Sequence, residues 1–80
     1  MAAQKQQKKR LLFTGDFRYK GELVTKFAHA FSGRQAKVFM MRQIADDDGV
    51  KYRVVSGIFN GEKPNFDIKV DPEWRRKNNV

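Results

Sequence analysis

The chain has 80 residues, with 17 Lys and Arg against 9 Asp and Glu, a formal charge of +8 and a pI near 10.1. That length makes one small domain with little room for a buried catalytic cleft. With no cysteine, disulfides and thiolate metal sites are excluded; no apolar run approaches a membrane span and no secretory apolar segment follows Met1, so a cytoplasmic protein is expected.

Residues 1–9 show no apolar period and are expected to form a disordered basic arm. Lys5, Lys8, Lys9 and Arg10 hold half of the net charge. A single β-rich domain is expected over 10–77, with 78–80 frayed. Leu11, Phe13, Phe17 and Tyr19 share one parity, the two-residue period of a half-buried strand. Gly15 interrupts it, as glycine does at a bulge or where another backbone approaches closely, so the strand is expected to bend sharply. Lys20-Gly21 marks a turn. The segment Glu22 to Phe31 then admits two readings. Leu23, Phe27 and Phe31 recur every fourth residue, and Gly33 suits the end of a helix; the same residues share strand parity, beside Val24 and Thr25. Glycine-containing turns at even intervals favour a strand. So does a faint repeat, in which Gly21, Phe31 and Gly33 recur as Gly49, Phe59 and Gly61.

Lys37 to Ile44 and Val50 to Phe59 flank Asp46-Asp47-Asp48-Gly49, which predicts a hairpin closed by a left-handed glycine. One face then collects Val38, Met40, Arg42, Ile44, Tyr52, Val54 and Ile58 as core. The other carries Lys37, Phe39, Met41, Lys51, Arg53, Val55 and Phe59. Arg42 fits the core face poorly. After a loop at Asn60 to Asn65, Phe66, Ile68 and Val70 predict a last strand. Asp71-Pro72 carries the start signal of a helical turn, with Trp74 folded back on the sheet.

The expected fold is therefore mainly β: a five-stranded antiparallel meander or partly open barrel of the size of an SH3 or OB domain, with a short C-terminal helical turn. The alternative is α+β, with a helix at 22–31 on a three- to four-stranded sheet. Phe17-Arg18-Tyr19-Lys20-Gly21-Glu22 resembles the opening of small archaeal chromatin proteins, a family of five-stranded barrels. Val55-Ser56 through Asn60 to Asp67-Ile68 is loosely similar to a hairpin in bacterial relatives of a single-strand-binding coactivator. Each covers one segment, and neither carries over a residue role.

No group of residues nominates itself for catalysis, and no cofactor is implied. His29 has no companion at metal-ligand spacing, and Asp46 to Asp48 lack the distal glutamate of a calcium loop. The predicted hairpin face offers rings for bases and cations for phosphates: Phe39 and Phe59 among Lys37, Lys51 and Arg53, with Lys8, Lys9 and Arg10 adding long-range attraction. The expected function is non-catalytic binding of nucleic acid, preferably single-stranded DNA or RNA. The alternative is a small protein-binding regulator or inhibitor of a nucleic-acid enzyme, of the kind that phages and plasmids encode.

Overall fold

The structure, a computed structural model, describes residues 9–79, so the predicted arm at 1–9, except Lys9, and Val80 lie outside it. The chain runs β1 (Leu11–Tyr19), β2 (Glu22–Ala30), α1 (Gly33–Asp48), α2 (Tyr52–Ile58), β3 (Phe66–Val70) and α3 (Pro72–Asn78). The three strands form one antiparallel sheet in the order β2-β1-β3.

β1 and β2 meet at a two-residue turn in which both Lys20 (φ 53°) and Gly21 (φ 80°) are left-handed. Such a turn matches the twist of paired strands and sets the register Tyr19 opposite Glu22 through Leu11 opposite Ala30. Odd residues of β1 face inward. Phe13, Phe17 and Tyr19 are buried there beside Ala30, and Gly15 lies under α1, where a Cβ would fall on Met40 Sδ and 2.8 Å from the Phe17 ring.

Helix α1 begins where the Ser32 hydroxyl accepts a hydrogen bond from the Gln35 N–H at 3.2 Å, while Gln35 Oε1 accepts from the Phe31 N–H at 2.8 Å. Its inward stripe is Ala36, Met40, Met41, Ile44 and Ala45. It ends at Gly49, left-handed at φ 70°. There the Gly49 N–H reaches the Asp46 carbonyl and the Val50 N–H reaches that of Ala45, which is the paired closure of a helix followed by glycine. The end is fastened to the first turn: Asp48 accepts from Tyr19 Oη at 2.6 Å and from Lys20 Nζ at 2.7 Å, and Asp47 pairs with Lys26.

Helix α2 is short, and its Val54-Val55 and Gly57 are poor helix formers. Packing holds it. Val55 and Phe59, one turn apart, are both fully buried, and the Phe59 ring meets Phe17 edge-on at 4.9 Å and Phe66 at 6.3 Å. β3 then pairs with β1, Phe66 opposite Phe17 and Val70 opposite Phe13. α3 opens on Asp71, whose carboxylate accepts from the Trp74 N–H at 3.0 Å and from the Thr14 hydroxyl at 2.6 Å, with Pro72 in its first turn. Asn78, expected to fray, closes this helix by donating to the Trp74 carbonyl at 2.8 Å.

The structure overturns the five-stranded meander or barrel. The protein is α+β with three strands and three helices. The predicted central hairpin is a pair of helices; the α+β class and the three-stranded antiparallel sheet of the alternative reading hold, but its helix at 22–31 is β2. The offset repeat has no structural counterpart, since β2 and α2 differ in kind. Both segmental resemblances fail with it: the first covers a β-hairpin of a three-stranded sheet, and the second covers a helix, a loop and a strand. Spacing by four explains the misreading. Residues i and i+4 share a face in a helix and in a strand alike, and a left-handed glycine closes either element. Arg42, awkward in a core strand, is exposed on α1 with its guanidinium 5.7 Å from the centre of the Tyr52 ring.

The close seat of α1 on Gly15 generates a prediction. Gly15→Ala places a methyl group against Met40 and Phe17, both fully buried, and is expected to cost about 1–3 kcal/mol of stability by overpacking. In urea denaturation the loss should shrink when Gly15→Ala is combined with Met40→Ala, relative to the sum of the two single changes.

Candidate nucleic-acid interface

The structure does not bring the predicted site residues together. Phe59 is 0% exposed and offers no surface to a base. Phe39 lies on α1, one-third exposed. Lys37, also on α1, is half-buried with Nζ 4.0 Å from the centre of the Phe66 ring, and burial lowers its pKa. Lys51 precedes α2, and Arg53 lies on it; both are exposed. Lys8 lies outside the described residues, and Lys9 is exposed. The ring-and-cation hairpin face therefore does not exist, because its two strands are helices that turn Val55 and Phe59 inward.

A different face carries the same ingredients. Helices α1 and α2 share the core with one side of the sheet, so the even residues of β1 and the odd residues of β2 and β3 point to the other side. Cross-strand pairing orders that side in rows. His29 lies beside Leu12; Phe27 lies beside Thr14, which lies beside Lys69; Thr25, Asp16 and Asp67 form the next row; Leu23 lies beside Arg18. Phe27 is 49% exposed and Leu23 62%. Phe31, just past β2 and 41% exposed, carries the Arg10 guanidinium at 5.5 Å from its ring centre. Of the predicted cations among the described residues, Arg10 alone is placed against an exposed ring.

The face is electrostatically divided. Asp16 and Asp67 stand directly opposite each other across β1 and β3, with Asp16 accepting from the Thr25 hydroxyl at 2.8 Å. On one side of that row lie Phe27, His29, Phe31, Arg10 and Lys69. Beyond Lys69, between β3 and α3, a cleft of about 560 Å³ is lined by Lys69, Val70, Pro72, Arg75, Arg76 and Asn79. Asp71 borders this region with its carboxyl held below the usual carboxylate range, first by the Thr14 hydroxyl and then by the Trp74 N–H.

Sequence reasoning missed Phe27 and Phe31 as surface rings and Lys69 as their neighbour. The signal was available in the alternation of Val24, Lys26 and Ala28 against Leu23, Phe27 and Phe31, which puts the larger apolar groups on one strand face. What was missing was which face the helices cover.

Among the described residues, no group of three or more His, Asp or Glu is placed to hold a metal ion, and no helix is long and apolar enough to cross a membrane. No protein-family model matches the chain, no curated protein is significantly similar to it, and no solved structure matches it significantly.

Two outcomes are expected from these placements. Phe59→Ala should cost about 3–5 kcal/mol by opening a cavity against Phe17 and Phe66, whereas Phe27→Ala should cost about 1 kcal/mol or less; denaturant midpoints compare them. Asp71→Asn should expose the linkage of the cap to pH. The folded pKa of Asp71 lies below its unfolded value of about 3.9, so its charge-dependent contribution is complete above that pH and is lost as pH falls through the folded pKa. The stability gap between wild type and Asp71→Asn should stay constant above about pH 5 and close in stronger acid.

Proposed function

We propose that this is a non-catalytic nucleic-acid-binding protein that takes single-stranded DNA or RNA on the Phe27 and Lys69 half of its open sheet face. The observation that carries this reading is the row Phe27, Thr14, Lys69, continued on its β2 side by Phe31 with Arg10 over its ring. Bases stack on exposed rings whatever their identity, each contributing about 1–3 kcal/mol, while cations follow the phosphates. Neighbouring strands are about 4.8 Å apart, so ring and ammonium project from backbones about 10 Å apart, within reach of one nucleotide and its neighbour. The net charge of +8 supports a polyanionic partner. The Asp16 and Asp67 row repels phosphate and confines the strand to one half of the face. A cytoplasmic setting suits the cysteine-free composition.

A second reading is a protein-binding regulator of a nucleic-acid enzyme. It is favoured by Leu23, the most exposed large apolar side chain among the described residues, on the edge strand β2. There an added strand would find both backbone groups and an apolar anchor.

Titration of a labelled single-stranded oligonucleotide at two salt concentrations separates the two. The first reading requires salt-dependent binding by wild type that weakens about 30-fold or more in Phe27→Ala/Phe31→Ala, from the stacking contribution of two rings. It also requires Phe39→Ala to bind as wild type does. Binding unaffected by removal of Phe27 and Phe31 would refute it. Absence of oligonucleotide binding, with capture of a partner lost in Leu23→Asp, would establish the second.

A further inference from the structure

The rest of the chain treats the two edges of the sheet differently. On β2, Gln43 covers the Phe27 carbonyl and Lys26 pairs with Asp47. Among the described residues, no side-chain bond of that kind reaches the edge of β3. The ladder between β1 and β3 is closed at its ends by the Asp71 N–H on the Leu12 carbonyl at 2.8 Å and the Arg18 N–H on the Asn65 carbonyl at 2.9 Å. Bonded pairs alternate along an antiparallel ladder, so Asp67 and Lys69 bond to β1 while Phe66, Ile68 and Val70 turn their N–H and carbonyl groups outward. The side chains of those three residues pack against the core and are only half-buried. Beside this edge runs a groove of about 460 Å³, walled by Gly33, Arg34 and Lys37 of α1 and by Phe66, Asp67 and Ile68 of β3.

Charge decides what fits there. Arg34 stands in the first turn of α1, which holds no acidic side chain, and a cation in that position opposes the helix dipole. Neither Arg34 nor Lys37 forms an ion pair among the described residues. Lys37 Nζ lies 4.0 Å from the centre of the Phe66 ring, and the ring does not make up for lost water: desolvation lowers the lysine pKa and no carboxylate acts to raise it. Asp67 borders the groove but belongs to the open face, where it stands opposite Asp16.

We propose that the β3 edge and this groove dock an extended acidic segment of a protein partner, which adds to the sheet as a fourth strand with carboxylates against Lys37 and Arg34. Its backbone supplies donors and acceptors at strand spacing for Phe66, Ile68 and Val70, and its helix-side residues cover their half-buried side chains. A phosphodiester chain has backbone acceptors without donors and leaves the outward carbonyls unmet. A second copy would set Arg34 and Lys37 against their own images, because antiparallel pairing of β3 with β3 puts both helix layers on one side. The first eight residues of this chain, with Lys5 and Lys8 and no acidic side chain, have the wrong sign. The site stands independently of the nucleic-acid reading.

The test uses the whole protein and two short, end-blocked peptides, one alternating Glu with Val and one alternating Lys with Val, followed by amide hydrogen exchange in NMR. The Glu peptide is expected to bind saturably and to protect the outward N–H groups of Phe66 and Ile68, while those of Asp67 and Lys69, already bonded to β1, change little. The Lys peptide is expected not to bind. Arg34→Gln/Lys37→Gln should weaken the Glu peptide about 5-fold or more, from the loss of two ion pairs. Lys51→Gln/Arg53→Gln, which removes the same charge near α2, should leave its affinity within about 2-fold, since distant charges are screened. Failure of the Glu peptide to bind, equal binding of the two peptides, equal binding by the groove variant, or protection along β2 in place of β3 would each overturn the site. So would two other occupants. Protection of Phe66 and Ile68 that grows with protein concentration, without peptide, gives the edge to a second copy. Displacement of the Glu peptide by a single-stranded oligonucleotide gives the groove to phosphate.

Discussion

The contact on which the rest of the molecule depends is the seat of α1 on the middle of β1, where Met40 lies directly over Gly15 and beside Phe17. A Cβ at residue 15 would meet Met40, the Phe17 ring and Ile68, so these packed side chains would have to shift. With the helix down, Phe17 becomes fully buried and forms the anvil on which Phe59 and Phe66 close, at 4.9 Å and 6.1 Å between ring centres. That aromatic group fixes α2, whose own sequence favours helix only weakly, and brings β3 back to the free edge of β1. Three separate stretches of chain are thus ordered around one glycine and one phenylalanine.

A chain of this size covers one side of a sheet and has little left for the other. The uncovered side is consequently part of the design problem, because it must remain soluble while presenting apolar groups. β2, an edge strand, is shielded in places by α1: Gln43 donates to the Phe27 carbonyl at 3.0 Å, and Lys26 pairs with Asp47. The acidic row of Asp16 and Asp67 interrupts what would otherwise be a continuous apolar and basic face. Its cost is like-charge repulsion across a strand pair, softened at Asp16 by the Thr25 hydroxyl. A carboxylate pair in that position makes sense as a boundary between a basic, ring-bearing half and the remainder.

Much of the local structure was legible in the residues. β1, the Lys20-Gly21 turn, β3 and the Asp71-Pro72 start of α3 all follow from alternation, turn chemistry and capping, whereas the bulge or backbone approach expected at Gly15 is instead a close approach by the Met40 and Phe17 side chains. The central region was not read correctly, although a discriminating signal lay in it. Met40-Met41 and Ile44-Ala45 are adjacent apolar pairs four residues apart, and both members of each pair are buried. A strand sends neighbours to opposite faces, while a helix keeps i, i+1, i+4 and i+5 within one broad stripe. Ser32 with Gln35 three residues later was likewise a helix start. For Tyr52 to Ile58 no comparable signal exists: Val54, Val55 and Ile58 favour strand locally, and burial of Val55 and Phe59 against Phe17 overrides them.

The residues alone determined where the chain turns, which segments alternate, that the charge is strongly positive and that cysteine is absent. These are properties of single residues and their near neighbours, and short-range sterics and charge fix them wherever the segment ends up. Which aromatic rings reach solvent was decided only in three dimensions. Phe27 and Phe59 are chemically identical, yet one is half exposed and the other sealed. The difference arises because α1 and α2 pack on the same side of the sheet, and the side of a sheet that helices cover is a relation between distant segments that no local pattern encodes.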